Sequence, residues 1–243
     1  PRDDEQSRVI IQTIQKMKLS KLAILYDGNT SYATGLAQDV GKIARQNHIE
    51  TVYYGALTPG RESYLEILEK VKSRNPDAVF FAGYYMDTAA LLKQKEAMDW
   101  HVVLIGGDGA NNPALPTAAG KKAAQGFYFI SPPLPRELDT DQAKWFLAEF
   151  KKTTGSPLQM IDSILAGEAL RVIVQAIRET KSIEPDVIAD HLHGSFDDLT
   201  GLTGRINFNA KGDRVSDLYG VYRVDAEGRF VIQRMFQFGK IVK

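Results

Sequence analysis

Lys21-Leu22-Ala23-Ile24-Leu25-Tyr26 runs straight into Asp27-Gly28-Asn29-Thr30-Ser31. An unbroken apolar, β-prone run that ends on a cluster of turn residues reads as a buried strand, and its surroundings decide the kind of sheet. Upstream, Val9, Ile10, Ile14 and Met17 fall at helical spacing. Downstream, a second helix is predicted from about Tyr32, with Leu36, Val40, Ile43 and Ala44 in phase; the next strand is Thr51-Val52-Tyr53-Tyr54, followed by Thr58-Pro59-Gly60-Arg61. The period then recurs. Tyr64, Ile67, Leu68 and Val71 mark a helix, Ala78-Val79-Phe80-Phe81-Ala82 a strand, Ala89 to Met98 a helix, His101 to Ile105 a strand, and Gly126 to Ile130 a last strand. An αβαβαβαβ order of this kind is the signature of an α/β fold, a mostly parallel sheet with helices on both faces.

The pattern changes after Ser131-Pro132-Pro133-Leu134-Pro135, a proline cluster that suits a crossover between domains. Three helices are expected near 141–153, 160–180 and 184–193 without strands between them. Gly204 to Phe208, Leu218 to Val224 and Arg229 to Phe236 then read as strands, and Asp225-Ala226-Glu227-Gly228 has the length and chemistry of a hairpin turn. No repeat of longer period and no low-complexity tract interrupts the chain.

Composition removes several classes of function. The 243 residues are 44% hydrophobic, enough for a real core, and 30 basic residues balance 30 acidic ones. A net charge of zero gives no footprint for nucleic acid or an anionic membrane. No apolar run approaches the roughly 20 residues of a membrane span. The start, Pro1-Arg2-Asp3-Asp4-Glu5, has neither an initiating Met nor an apolar leader, so the chain reads as processed, trimmed or partial. There are no cysteines, hence no disulfide framework, thiolate nucleophile or Cys-based metal site.

In open α/β sheets ligands bind outside the carboxyl ends of the strands, which directs attention to the loops after Tyr26, Ala82 and Ile105. The first offers Asp27, Asn29, Thr30, Ser31 and Tyr32, the second Gly83-Tyr84-Tyr85-Met86-Asp87, and the third Gly106-Gly107-Asp108-Gly109-Ala110-Asn111-Asn112. Aromatic hydroxyls, a carboxylate in a glycine frame and small polar groups suit a small polar ligand with a positive end. Strand-end loops are polar and glycine-rich in any such sheet, so each loop alone says little. The stretch Gly107 to Asn112 resembles a dinucleotide fingerprint until its last position and follows the wrong strand; Gly120-Lys121-Lys122 lacks both the hydroxyl and the earlier glycine of a phosphate loop, with Leu115 in its place. No zinc-protease or serine-hydrolase motif occurs. His191 and His193 diverge if their segment is helical and then cannot share a metal. Asn29-Thr30-Ser31 is a formal glycosylation sequon, without meaning in a bacterial protein. No catalytic residue, metal or cofactor is therefore expected.

Taken in order, Leu25-Tyr26-Asp27, Ser31-Tyr32-Ala33-Thr34-Gly35-Leu36-Ala37, Phe81 to Tyr85, Gly106-Gly107-Asp108-Gly109, Thr203 to Asp213 and Tyr219-Gly220-Val221-Tyr222 resemble the leucine/isoleucine/valine-binding proteins of the type I periplasmic-binding fold. The likeness spans nearly the whole chain. It implies two lobes joined by crossover strands that close on an amino acid, which a membrane permease of an ABC importer then receives, in the periplasm or outside the cell and lipid-anchored in a single-membrane bacterium. It further implies that Tyr32 and Tyr84 touch the ligand and that Asp108 pairs with its ammonium group, with Ser31, Tyr85 and Gly109 as weaker candidates. A desolvated ammonium needs a negative partner, and a charge-assisted hydrogen bond supplies one.

The departures from that family carry expectations of their own. Asp108 stands where the leucine-type proteins have Glu, Ala33 where they have Gly, and Gly167 where they place a tyrosine, so leucine itself is not implied. Residues 1–131 and 221–243 would form the ligand-closing lobe and 132–220 a partial, mainly helical first lobe. The N-terminal segment that builds the first lobe's sheet has no counterpart, so a missing segment or a second chain is expected to cover residues 132–220. A sensor of the same fold and a Rossmann-like enzyme stand as alternatives, the enzyme weakened by the lack of a phosphate loop or an acid/base pair.

Overall fold

The computed structural model describes residues 2–194, 196, 199–215, 218–237 and 240–241, the last two by backbone alone. Pro1 and residues 238–239 and 242–243, which belong to the expected closing lobe, lie outside the described residues, as do 195, 197–198 and 216–217. The chain divides into two compact units, Arg2–Ser131 with the chain from Tyr219 onward, and Pro132–Leu218. The sequence reading put the second division at residue 220.

The larger unit alternates helices and strands: α1 Asp3–Lys16, β1 Lys21–Asp27, α2 Ser31–Gln46, β2 Glu50–Leu57, α3 Leu65–Lys72, β3 Ala78–Ala82, α4 Tyr85–Ala97, β4 Val103–Gly106 and, after the short helices α5 Leu115–Ala119 and α6 Lys121–Ala124, β5 Tyr128–Ser131. The strands lie in the order β2-β1-β3-β4-β5, all parallel to their neighbours. The sheet continues through β8 Leu218–Val224, antiparallel to β5, then β9 Phe230–Gln237 and β10 Lys240–Ile241.

Its strands are apolar without alternation because both faces are covered. Leu22, Ile24, Phe80 and Ile105 point into a core with Val9, Ile10 and Ile14 of α1 and Leu36 and Val40 of α2. Ala23, Leu25, Val79 and Phe81 are equally buried on the opposite face, where α4 packs against α3, α5 and α6. Asp77 ties two strand beginnings together, its Oδ2 accepting from the N–H groups of Ser20 and Lys21 at 2.8 Å each.

Some boundaries differ from the sequence reading. Tyr85, Met86 and Asp87, expected in the loop after β3, form the first turn of α4, and Ser31 opens α2. β2 is longer than Thr51 to Tyr54, β4 starts at Val103 instead of His101, and α5 and α6 were not anticipated.

The smaller unit contains α7 Asp141–Thr154, α8 Ile161–Thr180, α9 Pro185–Gly194 and a two-stranded antiparallel ribbon, β6 Leu199–Gly201 with β7 Gly204–Ile206. β7 ends two residues before the expected Phe208, which makes an isolated bridge to Arg214. Glu168 of α8 is buried and accepts hydrogen bonds from the N–H and hydroxyl of Thr203, with the Arg214 guanidinium 3.9 Å away. By contrast Trp145 of α7 and Leu170 of α8 are 68% and 63% exposed, and Ile173 and Val174 also face outward. An open groove of about 430 Å³ is lined by Trp145, Phe146, Gly167 and Arg171 among others.

Candidate functional site

The strand order β2-β1-β3 means that the chain leaves β1 for one side of the sheet and later continues from β3 toward the other. Connections that diverge in this way leave a crevice at the carboxyl ends of the two strands. The register brings their ends level, Tyr26 beside Ala82, and Phe81 beside Gly106 of β4. Three loops therefore converge: Asp27 to Thr30, Gly83-Tyr84, and Gly107 to Asn112.

Local chemistry shapes each of them. Asp27 is buried and its Oδ1 accepts the N–H of Asn29 at 2.8 Å, closing the turn; Thr30 caps α2 by accepting the N–H of Ala33 at 3.3 Å. These two side chains serve the backbone. Asn111 does likewise, since its buried amide donates to the Ser131 hydroxyl at 2.8 Å.

What remains is a compact group. The Tyr32 hydroxyl donates to Asp108 Oδ1 at 2.6 Å and accepts the N–H of Gly109 at 3.2 Å. The rings of Tyr32 and Tyr84 lie 5.8 Å apart between centroids, tilted by 43°. Tyr32, Tyr84, Asp108 and Gly109 thus come together. Ser31 is exposed at the start of α2, and Tyr85 is half-buried on the first turn of α4.

The glycines flanking Asp108 are required by space. A β-carbon on Gly107 would sit 2.7 Å from the Tyr32 hydroxyl and 2.8 Å from Leu36, and one on Gly109 would sit 2.5 Å from the carbonyl oxygen of Gly83. The glycine frame lets the β4 loop lie against the β3 loop and places the carboxylate under the tyrosine. Burial, then the charge of Asp108 and the hydrogen bond to it, push the Tyr32 hydroxyl well above the usual tyrosine range, so it stays protonated. Among the described residues no lysine or arginine forms an ion pair with Asp108.

Two residues near this group escaped the sequence reading. Gln6 of α1 is fully buried, its amide donating to the Ile130 carbonyl at 3.3 Å while its Oε1 lies toward Gly107. A glutamine in phase with Val9, Ile10 and Thr13 on an apolar stripe was the available signal. Asp3, the first residue of α1, has its carboxyl pushed up, first by desolvation and next by the charge of Asp108. In the smaller unit, His191 Nε2 lies 2.6 Å from Glu179 Oε2 and His193 approaches Gly212. Among the described residues no cluster of three or more His, Asp or Glu is arranged to hold a metal. No helix of the described residues is long and apolar enough to cross a membrane.

Aromatic rings and a carboxylate thus lie at the switch point of a doubly wound sheet, the place where open α/β sheets as a class take small molecules. The model of the family described as periplasmic binding protein matches residues 1–229, and the chain belongs to that family. The leucine-specific-binding protein of Salmonella typhimurium is 24% identical over 233 residues, covering 94% of this chain and 59% of the relative, so the chain spans about three-fifths of that protein's length. A leucine-binding protein from Thermotoga maritima superposes with a TM-score of 0.87 at 22% identity, over 97% of this chain and 66% of the other. The branched-chain amino acid transporter substrate-binding protein of Streptococcus pneumoniae, solved in complex with isoleucine, gives 0.79 at 22% identity over 99% and 65%. The fold is the type I periplasmic-binding fold.

Proposed function

We propose that this chain serves an extracytoplasmic solute-binding protein of an ABC-type importer, one that takes an amino acid or similar small polar molecule bearing an ammonium group and delivers it to a membrane permease. The observation that carries the reading is the Asp108 carboxylate, half-buried, oriented by the neutral Tyr32 hydroxyl at 2.6 Å and joined by no cationic side chain of the described residues. A carboxylate held in that way has its remaining lone pairs free for a cation, and the rings of Tyr32 and Tyr84 offer apolar and cation–π surface beside it. Binding proteins for branched-chain amino acids among the relatives support an amino acid as the solute and a role in capture without turnover. On this reading residues 2–131 and the chain from 219 form the ligand-closing lobe, the two lobes close on the solute, and a first-lobe segment or a second chain covers the exposed Trp145, Leu170, Ile173 and Val174.

The test uses the full-length two-lobed protein, screened by thermal shift against the amino acids, since a ligand raises stability as RT ln(1 + [L]/Kd). Asp108→Asn keeps the shape and removes the charge. The expected result is a loss of affinity of about 2–5 kcal/mol for the best amino acid, as for any buried cation that loses its partner. Unchanged affinity in Asp108→Asn, or a response only to carboxylic acids that lack an amine, refutes the role of the carboxylate.

A further inference from the structure

A second buried polar cluster lies one turn of helix away from Tyr84. Asp87 occupies the third position of α4, where an acidic side chain ordinarily bonds back to the free N–H groups of its own helix. Here its Oδ1 instead accepts the N–H of Gly60 at 2.8 Å and the hydroxyl of Tyr64 at 2.5 Å. That hydroxyl also accepts the N–H of Arg61 at 3.3 Å. Two turns further along α4, Gln94 accepts the Tyr64 N–H at 2.7 Å through Oε1 and donates to the Glu62 carbonyl at 3.2 Å. Asp87 and Tyr64 are only 8% and 3% exposed. One face of α4 is thus fastened at two points to the segment Thr58–Tyr64, which leaves the carboxyl end of β2.

Tyr84 is the residue that benefits. It immediately precedes α4, has no capping side-chain bond of its own and is 46% exposed, so apart from the Tyr32 ring few contacts hold its side chain. Its place is inherited from its backbone. That backbone is held from one side by Gly109 against the Gly83 carbonyl, and from the other by α4, whose Thr88 N–H and hydroxyl donate to the Tyr84 carbonyl at 3.0 and 2.9 Å. We infer that Asp87 and Tyr64 are positioning residues for Tyr84: their clamp on the β2–α3 loop fixes the start of α4 and so presets the aromatic wall before a ligand arrives. The inference rests on Tyr84 forming part of the ligand site.

The test places 3-fluorotyrosine at position 84 of the full-length protein and follows its fluorine resonance in Tyr64→Phe and Asp87→Asn, with Asp77→Asn as a variant that removes a carboxylate at the opposite end of the sheet. The expected outcome is a displaced and broadened resonance in both clamp variants and an unmoved one in Asp77→Asn, even where all three melt earlier. In parallel, Tyr64→Phe should raise the Kd for the amino acid that gives the largest thermal shift at least fivefold with Tyr84 present and leave it unchanged in a Tyr84→Ala background, the coupling expected of residues acting as a unit. A fluorine line at the wild-type position in both clamp variants overturns the inference, as does a Kd effect of equal size with and without Tyr84. If the wild type binds no amino acid while the resonance responds as expected, the clamp stands and the proposed solute class fails.

Discussion

Gly109→Ala probes the junction on which the proposed site rests. The added methyl would stand 2.5 Å from the Gly83 carbonyl oxygen and 3.3 Å from both the Gly83 carbonyl carbon and Tyr32 Cε1. Ordinary carbon–oxygen contact begins near 3.3 Å, so the overlap is about 0.8 Å. The oxygen belongs to the main chain, and the peptide that bears it lies over the Phe81 ring, which a β-carbon on Gly83 would itself strike at 2.3 Å. Neither side can yield by turning a flexible side chain. Overpacking of this kind costs about 1–3 kcal/mol, or roughly 2–12 °C of Tm at 2–4 °C per kcal/mol for a chain of this size. Gly35→Ala is the counterpart, since Gly35 lies inside α2 and, apart from its chain neighbours and the helix's own backbone, nothing comes within 4 Å of a β-carbon there. There alanine should stabilise by about 0.5–1 kcal/mol through helix propensity alone. Urea and thermal unfolding followed by circular dichroism measure both. Gly109→Ala unfolding within about 0.5 kcal/mol of wild type, or a structure of it with the Gly83 peptide unmoved, would refute the claim that close approach demands glycine.

Alkaline pH should weaken the fold by a defined route. Burial first, then the hydrogen bond to Asp87, push the Tyr64 hydroxyl up to about 12 from an ordinary 10.0, and Tyr32 is raised as well. A raised folded-state value gives stability that is complete below about pH 10 and lost as pH climbs through about 12, so urea midpoints should fall across that window and Tyr64→Phe should flatten the slope; an identical slope in the variant would rule Tyr64 out as its source. At the acid end Asp77 behaves oppositely. The N–H groups of Ser20 and Lys21 hold its carboxyl below the ordinary 3.8, so its contribution is present above that pH and is lost as pH falls through the depressed value. Asp77→Asn should cost about 1 kcal/mol at neutral pH and shrink the acid loss of stability, which a pH series of urea melts checks.

The parallel sheet was legible because strands buried on both faces leave long apolar runs, and Lys21 to Tyr26, Ala78 to Ala82 and the helices between them stand out at their own periods. Helix ends were less legible for a stereochemical reason. Lys18, His48, Asn75 and Asp99, just beyond α1 to α4, all adopt positive φ, between 49° and 59°, where a sequence reading looks for glycine. The start of α4 gave no signal either, since Tyr84 makes no capping bond and the one acidic side chain in the first turn is spent on Gly60 and Tyr64. That diversion is a tertiary choice invisible to local spacing. The grouping of Tyr32, Tyr84 and Asp108 came from resemblance, because residues 76 positions apart meet only once the order of β1, β3 and β4 is known.

The hydrogen bonds of Tyr32 also sharpen what each member of the proposed site can offer. A phenol has one proton, and at 2.6 Å it goes to Asp108 Oδ1, while the N–H of Gly109 occupies part of the oxygen's accepting capacity. On the proposed reading Tyr32 would therefore meet a ligand with its ring, having no proton left to donate to it. The bond also turns Asp108, so an ammonium group would find Oδ2 free and Oδ1 already shared. An aspartate reaches less far from its backbone than a glutamate would, but the glycines on either side bring that backbone against the Gly83 carbonyl and the Tyr32 ring. On the proposed reading the short side chain and the tight frame compensate each other. Lengthening Asp108 to Glu without loosening the frame would drive the carboxylate past the Tyr32 hydroxyl, and the longer acid would bind the same ammonium less well than the shorter one.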